Sequence, residues 1–392
     1  MITNEHKKHA GITRPSYGFF NRTEWAIVGT QCNTIRSLAD KVINALAQQY
    51  ACAYADEVHG AVSEGSFPDH LASGAMTEYN GFDTYHQFNF KKSFNQFEYR
   101  RLFNDADMVL VNGNHFVAKS QVVVIDERKR ESLQKRIHQL TNVELVLLAD
   151  NEPGIFDFIK DILPLWNQLP VYKISDTEKI IEFFRNKIQV SMPLLHGLVL
   201  AGGKSERMGY DKGMIRWHGK EQQYYMADLM QNLCSEVYIS YRTDQQKEIT
   251  REYKTLTDSF TGLGPFGAIL SAFREKPDAA WMIVACDLPL LDTETLQYLK
   301  ANRYSSSIAT TFESPYNNFP EPLITIWEPK SYPVLLSFLS QGYDCPAKVL
   351  RNSNVTVLKA QNPMALMNVN TPDELGKVQE LLRNKLPVNH EG

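Results

Sequence analysis

The chain has 392 residues, 43% hydrophobic and 22% charged, with a formal net charge of −4 at pH 7. That length exceeds what one core usually covers, so two domains are expected. The interspersed charges offer no basic face for nucleic acid, no apolar run nears the roughly 20 residues that span a bilayer, and the start Met1-Ile-Thr-Asn-Glu-His-Lys-Lys-His9 lacks the apolar core of a secretory signal, so a cytoplasmic protein is expected.

In chain order, Trp25-Ala-Ile-Val-Gly-Thr30 reads as an apolar strand, followed by a loop and an amphipathic pattern from Leu38 to Gln48. Strand, loop and helix in this order suggest a P-loop domain, yet the chemistry of G-x-x-x-x-G-K-[ST] is missing. Aligned on Gly29, the second glycine is Thr34, the lysine is Ile35 and the hydroxyl residue is Arg36. Such a loop can neither wrap nor neutralise the β and γ phosphates in the usual way. Further strands are expected at Asp107-Met-Val-Leu-Val-Asn-Gly113 and Gln121-Val-Val-Val-Ile-Asp126. The aromatic-rich segment from Tyr79 to Phe90 is read as an irregular insertion packing on its own domain, with a partner-binding loop as the alternative. His59, His70, His86 and His115 show no metal-ligand spacing and are expected to be surface or packed side chains. A charged helical pattern, Asp176 to Ile188, then gives way near Ser191-Met-Pro193 to the apolar strand His196-Gly-Leu-Val-Leu200, which marks a domain boundary.

That strand runs into Leu200-Ala-Gly-Gly-Lys-Ser-Glu-Arg-Met-Gly-Tyr-Asp-Lys212. Where side chains are absent, backbone N–H groups approach phosphate oxygens closely, which gives Gly202, Gly203 and Gly209 a purpose; Lys204, Arg207 and Lys212 supply neutralising charge. The loop is neither a Walker A motif nor a G-x-G-x-x-G fingerprint. Taken alone, its plainer reading is a glycine-rich turn with solvated charges. Helical patterns follow at Glu221 to Leu233, Asp292 to Ala301 and Thr371 to Leu382, and strands at Glu236 to Tyr241, Ser307 to Phe312 and Glu321 to Trp327. Alternation of strands and helices implies a parallel sheet. Asp258-Ser-Phe-Thr-Gly262-Leu-Gly264-Pro-Phe-Gly267 is a second glycine-rich turn that opens a helix with proline in its first turn. Trp281-Met-Ile-Val-Ala-Cys-Asp287-Leu-Pro is a buried strand that delivers Asp287 to the sheet edge where open parallel sheets bind ligands. A carboxylate there suits a hard cation bridging phosphates, although a lone strand-end Asp more often caps a helix. The five cysteines form no C-x-x-C pair, and Cys286 reads as a small core residue.

Glycine loop, glycine turn, Cys-Asp-x-Pro and Asn368-Val-Asn370-Thr-Pro occur here in the order and spacing of the molybdenum cofactor guanylyltransferases, and residues 200–375 resemble that family. The resemblance implies an α/β fold for residues 194–386, a Rossmann-like three-layer α/β/α sandwich. It also implies magnesium-dependent transfer of GMP from GTP onto the phosphate of molybdopterin, with release of pyrophosphate. Leu200, Ala201, Gly202, Gly203, Lys204, Lys212, Asp258 and Gly264 would lie on the nucleotide side. Arg207, Lys212 and Asp287 would be catalytic, with Asp287 holding Mg2+. Asn368 and Asn370 would face the acceptor, and the strand from Glu321 to Leu323 would border it. Residues 1–190 resemble the small GTP-binding molybdopterin-guanine-dinucleotide adaptor domain, including its Val-x-Gly turn, but carry Asn112 where that family has Glu, which implies a degenerate P-loop-type α/β domain that has lost hydrolysis. Partners implied are GTP and molybdopterin, with cofactor-biosynthesis proteins or molybdoenzymes as candidate protein partners.

Within that family Leu-Ala-Gly-Gly accompanies GTP and Leu-Ala-Ala-Gly accompanies CTP, so Gly202 and Gly203 favour guanine. A phosphate monoester is already largely a dianion at neutral pH and needs no general base, so the catalytic demand is positioning and charge cancellation. The alternatives are another phosphorylated acceptor or CTP, and an interaction module without catalysis.

Overall fold

In the computed structural model residues 11–58, 68–201, 212–242, 250, 252–369 and 372–385 are described. Contacts divide the chain into two compact units, one of residues 17–191 and one from Met192 onward, which also takes in the described residues before Tyr17. Against an expected first domain of 1–190, residues 11–16 thus group with the second unit, where the Ser16 amide donates to Asp278.

The N-terminal unit is built on β1 (Glu24–Val28), β2 (Cys52–Ala55), β5 (Met108–Asn112), β6 (Ser120–Ile125), β7 (Val143–Leu148) and β8 (Val171–Lys173), with β3 (Thr77–Gly81) and β4 (His86–Phe90) forming a separate pair. The first six form one parallel sheet in the order β2-β5-β1-β6-β7-β8. The three central strands are buried along their whole length, as continuous apolar runs covered on both faces should be. The first helix spans Cys32–Leu46 and starts six residues before the expected Leu38. Its buried stripe is Ile35, Leu38, Ala39, Val42 and Leu46, which extends the 3.6-residue period back through the loop. Ile35, at the position a P-loop gives to lysine, is fully buried in the core with Trp25 and Phe184. Gly29 takes φ +99°, and a Cβ there would meet the Val124 carbonyl at 2.3 Å, so glycine is required at that turn.

The aromatic segment is regular, which corrects the reading of an irregular packed insertion. β3 and β4 pair as an antiparallel hairpin. Tyr79 and Phe88 stand opposite one another with ring centroids 4.8 Å apart, and both remain more than half exposed. Of the four histidines singled out above, His59 lies outside the described residues, and His86 Nδ1 shares a hydrogen bond with the Tyr79 hydroxyl at 2.9 Å within the hairpin.

The C-terminal unit carries β9 (Leu195–Leu200), β10 (Val237–Tyr241), β11 (Lys254–Thr257), β12 (Ala280–Ala285), β13 (Ala309–Glu313), β14 (Pro320–Trp327) and β15 (Val355–Leu358). The order is β11-β10-β9-β12-β14-β13-β15. Among these strands all run in one direction except β14, which is antiparallel to both neighbours. Alternate residues of β12 feed two cores: Met282 and Val284 pack with the helices Gln222–Gln231 and Thr293–Ala301, and Trp281 and Ile283 with the helices Gly264–Glu275 and Ser331–Ser340. The result is a sheet between two helical layers, the three-layer α/β/α arrangement expected.

Candidate active site

The site is assembled at the edge where β9, β10, β11 and β12 end. Leu200 and Ala285 are register partners on adjacent parallel strands, so the segments leading into the glycine loop and to Asp287 leave the same edge side by side. Ala201 is buried at the start of that loop. Gly202, Gly203, Lys204, Arg207 and Gly209 lie outside the described residues, as does Asn370; Lys212 is described only by its backbone, which opens a short 3-10 turn, Lys212–Met214.

The segment after that turn is tied to the acid. His218 Nε2 donates to the Pro289 carbonyl at 2.8 Å, and the buried Gln222 amide donates to the Leu288 carbonyl at 3.4 Å. Trp217 packs on a small apolar cluster of Leu290, Val369 and Val378. The Val369 amide donates to the Asp287 carbonyl at 2.9 Å. Three stretches far apart in sequence, around 217, 287 and 368, are therefore held together, and Asn368 stands next to the residue bonded to Asp287. No local sequence pattern marks Trp217, His218 or Gln222, because nothing nearby in the chain distinguishes a residue whose role is to bond another loop's carbonyl.

At the end of β11, Asp258 is 8% exposed and accepts from Ser240 Oγ at 2.6 Å. Burial raises its carboxyl above the usual range, while the Ser240 bond and the Arg242 charge oppose the rise. The turn after it is closed from within the following helix. Ser271 Oγ accepts from the Ser259 and Phe260 amides at 2.9 and 3.1 Å and donates to the Gly267 carbonyl at 2.6 Å. Gly267 cannot be replaced without movement, since a Cβ would lie 2.2 Å from the Phe260 carbonyl. Gly262 and Gly264 take φ of +79° and +54°, the left-handed region that glycine enters at little cost. Leu263 is the N-cap of the helix Gly264–Glu275 and makes no side-chain cap bond, and Pro265 in the first turn has no N–H to leave unpaired.

Because β14 runs backwards, its start meets the edge where its neighbours end. This brings Glu321 close enough to Asp287 for the two charges to interact. Burial, and to a smaller extent the Asp287 charge, push the Glu321 carboxyl up; a hydrogen bond with Ser314 opposes the shift. Two carboxylates crowded at one half-buried edge fit a divalent cation, which would relieve their repulsion, and magnesium is commonly held by one or two protein carboxylates with phosphates supplying the rest. Among the described residues no group of three or more His, Cys, Asp or Glu is arranged around a metal. Cys286 is 5% exposed within the core. No described helix is long and apolar enough to cross a membrane.

Residues 197–357 match the model of the MobA-like NTP transferase domain. A molybdenum cofactor biosynthesis bifunctional protein of Synechocystis is 33% identical over 206 residues, covering 52% of this chain and 59% of that protein. A probable molybdenum cofactor guanylyltransferase of Nostoc is 31% identical over 188 residues, 47% of this chain and 90% of that protein. Among solved structures, molybdopterin-guanine dinucleotide biosynthesis protein A of Archaeoglobus fulgidus covers 49% of this chain and 100% of its own at 21% identity and a TM-score of 0.42. Bacillus subtilis MobB covers 42% and 97% at 12% identity and a TM-score of 0.34.

Proposed function

The chain belongs to the molybdenum cofactor guanylyltransferase family and is a nucleotidyltransferase, and from that premise we propose that it moves GMP from GTP onto the terminal phosphate of molybdopterin, releasing pyrophosphate. One observation carries the reading: the register of β9 on β12 brings Leu200, at the head of the glycine loop, to the same sheet edge as Asp287. The nucleotide lies across that edge. Amides of Ala201 to Lys204 cradle its phosphates, and Arg207 and Lys212 cancel their charge. Asp258 and Gly264 border it from the β11 side. Asn368 and Asn370 orient the acceptor, whose phosphate attacks the α-phosphorus in line as pyrophosphate departs.

Asp287, with Glu321 beside it, would hold Mg2+, which when bound screens the charge between nucleotide and acceptor. The protein's own contribution is positioning and exclusion of water, the larger part of catalysis in phosphoryl transfer. GTP and molybdopterin are the small-molecule partners of this reaction.

The test is pyrophosphate release from GTP, CTP and ATP in turn, with molybdopterin and Mg2+ present. Release from GTP alone supports the reading. A preference for CTP overturns the base assignment, release only with a different phosphorylated acceptor overturns the acceptor, and no release with any pair overturns catalysis.

A further inference from the structure

In the N-terminal unit the loop that lacks phosphate-binding residues carries a different chemistry. β1, β2 and β5 are neighbours in the parallel sheet, and each delivers one reactive side chain just past its end: Cys32 opens the helix after β1, Asp56 follows β2, and His115 follows β5. Cys32 Sγ lies 3.3 Å from His115 Nε2. His115 Nδ1 is 4.0 Å from the exposed Glu57 carboxylate, and Nε2 is 3.8 Å from Asp56 Oδ1. Asn114 Nδ2 donates to the Thr30 carbonyl at 2.9 Å and reaches Cys32 Sγ at 3.5 Å.

The carboxylate of Asp56 is built in. It accepts from Tyr54 Oη at 3.0 Å, Asn112 Nδ2 at 2.8 Å, Arg36 at 3.1 Å and the Glu57 amide at 2.8 Å. Burial pushes its carboxyl up, but these bonds together outweigh burial and hold it below the usual range, so it stays charged beside the imidazole. The side chains of His115 and Asp56 are only 10% and 9% exposed. Asn112, the residue that replaces the adaptor family's Glu, is thus a strut for Asp56: its amide donates to the carboxylate and its Oδ1 accepts from the Asn114 amide.

We propose that Cys32 and His115 form a thiol nucleophile site that accepts acyl groups from activated acyl donors, thioesters or activated esters. His115 Nε2 takes the Cys32 thiol proton, with Asp56 and Glu57 stabilising the imidazolium. The sulfur then bonds to the acyl carbon, the bond from that carbon to the leaving thiol or alcohol breaks, and the leaving group departs with the proton from His115. The sum is Cys–SH plus donor giving acyl-Cys plus free thiol or alcohol, with no change of oxidation state. Negative charge on the attacked carbonyl oxygen falls at the first turn of the helix Cys32–Leu46, whose N-cap Gln31 makes no side-chain cap bond.

The chain contains its own reference thiol, since Cys345 is exposed whereas Cys32 is half-buried. With the full-length protein, iodoacetamide labelling followed by peptide mass analysis is expected to modify Cys32 about ten-fold faster than Cys345 or more, because a thiol with an imidazole base at 3.3 Å outruns one favoured by exposure alone. Cys52, whose thiol burial pushes up to about 11, serves as the slow control. With p-nitrophenyl acetate the expected result is a burst of one equivalent of nitrophenolate and an acetyl group on Cys32, lost in Cys32→Ser. His115→Gln should slow both reactions about ten-fold or more, and Glu57→Gln, at an exposed position, should slow them by a smaller factor without touching the fold. Labelling of Cys32 no faster than Cys345, absence of the acetyl adduct, or rates unchanged in both His115→Gln and Glu57→Gln would each overturn the site.

Discussion

Ser271→Ala probes the turn that positions Asp258. The hydroxyl is fully buried and serves two amides at 2.9 and 3.1 Å and one carbonyl at 2.6 Å. The Gly267 carbonyl is also an ordinary helix acceptor, so its loss costs little. The amides of Ser259 and Phe260 lose an acceptor, and an unsatisfied buried donor costs about 1–3 kcal/mol. Ser259 is exposed, so water reaches that amide more readily than the one at half-buried Phe260. The total is therefore about 2–3 kcal/mol, below the sum of two full penalties. For a domain of this size that corresponds to a fall of about 4–12 °C in the melting temperature of the C-terminal unit. Differential scanning calorimetry of the full chain measures it, and KM for GTP should rise as the turn loosens. A melting temperature unchanged to within about 1 °C would refute the claim that this hydroxyl closes the turn.

Gly267→Ala should cost about 1–3 kcal/mol, because the added methyl meets a backbone carbonyl that no rotamer change can move; urea unfolding reads the shift in midpoint. Asp287→Asn should lower turnover with GTP and Mg2+ by about 10²-fold or more, with Glu321→Gln giving a smaller loss; steady-state kinetics in which Asp287→Asn matches the parent would remove the cation from that edge. Glu236 bonds Lys254, Lys276 and Tyr238, which hold its carboxyl below the ordinary value. Its folded pKa is depressed, so the stability it adds is present above the unfolded value of about 4.3 and is lost as pH falls from there through the folded value. Melting temperature plotted against pH should drop less steeply on the acid side in Glu236→Gln than in the parent.

The long apolar runs made the centre of each sheet legible. Trp25 to Val28, Met108 to Val111 and Trp281 to Ala285 read as strands because both faces are covered, and they are. Short strands with little burial carried no such signal: β11, Lys-Thr-Leu-Thr, buries only Leu256, and β8 lies at a sheet edge with no buried residue. The direction of β14 was equally invisible, since an apolar run is the same read either way, and with it went the meeting of Glu321 and Asp287. Asp258 entered only through the glycine-rich turn it opens and the family resemblance, whereas the Asp287 end was legible because a buried strand must deliver its last residues to the edge. The pairing of Cys32 with His115 was not, because 83 residues separate them and only the neighbouring of β1 and β5 closes the gap.

The reversed strand separates two tasks along the chain. Strands β9 to β12 end at the edge, where the proposed function sets the nucleotide, whereas β14 begins there, entered through the short connection between Glu313 and Pro320. That connection can lengthen, shorten or change its charges while the four parallel strand ends keep their register. On the proposed function, rewriting that one hairpin would admit a new acceptor while the loops proposed to grip the triphosphate stay as they are.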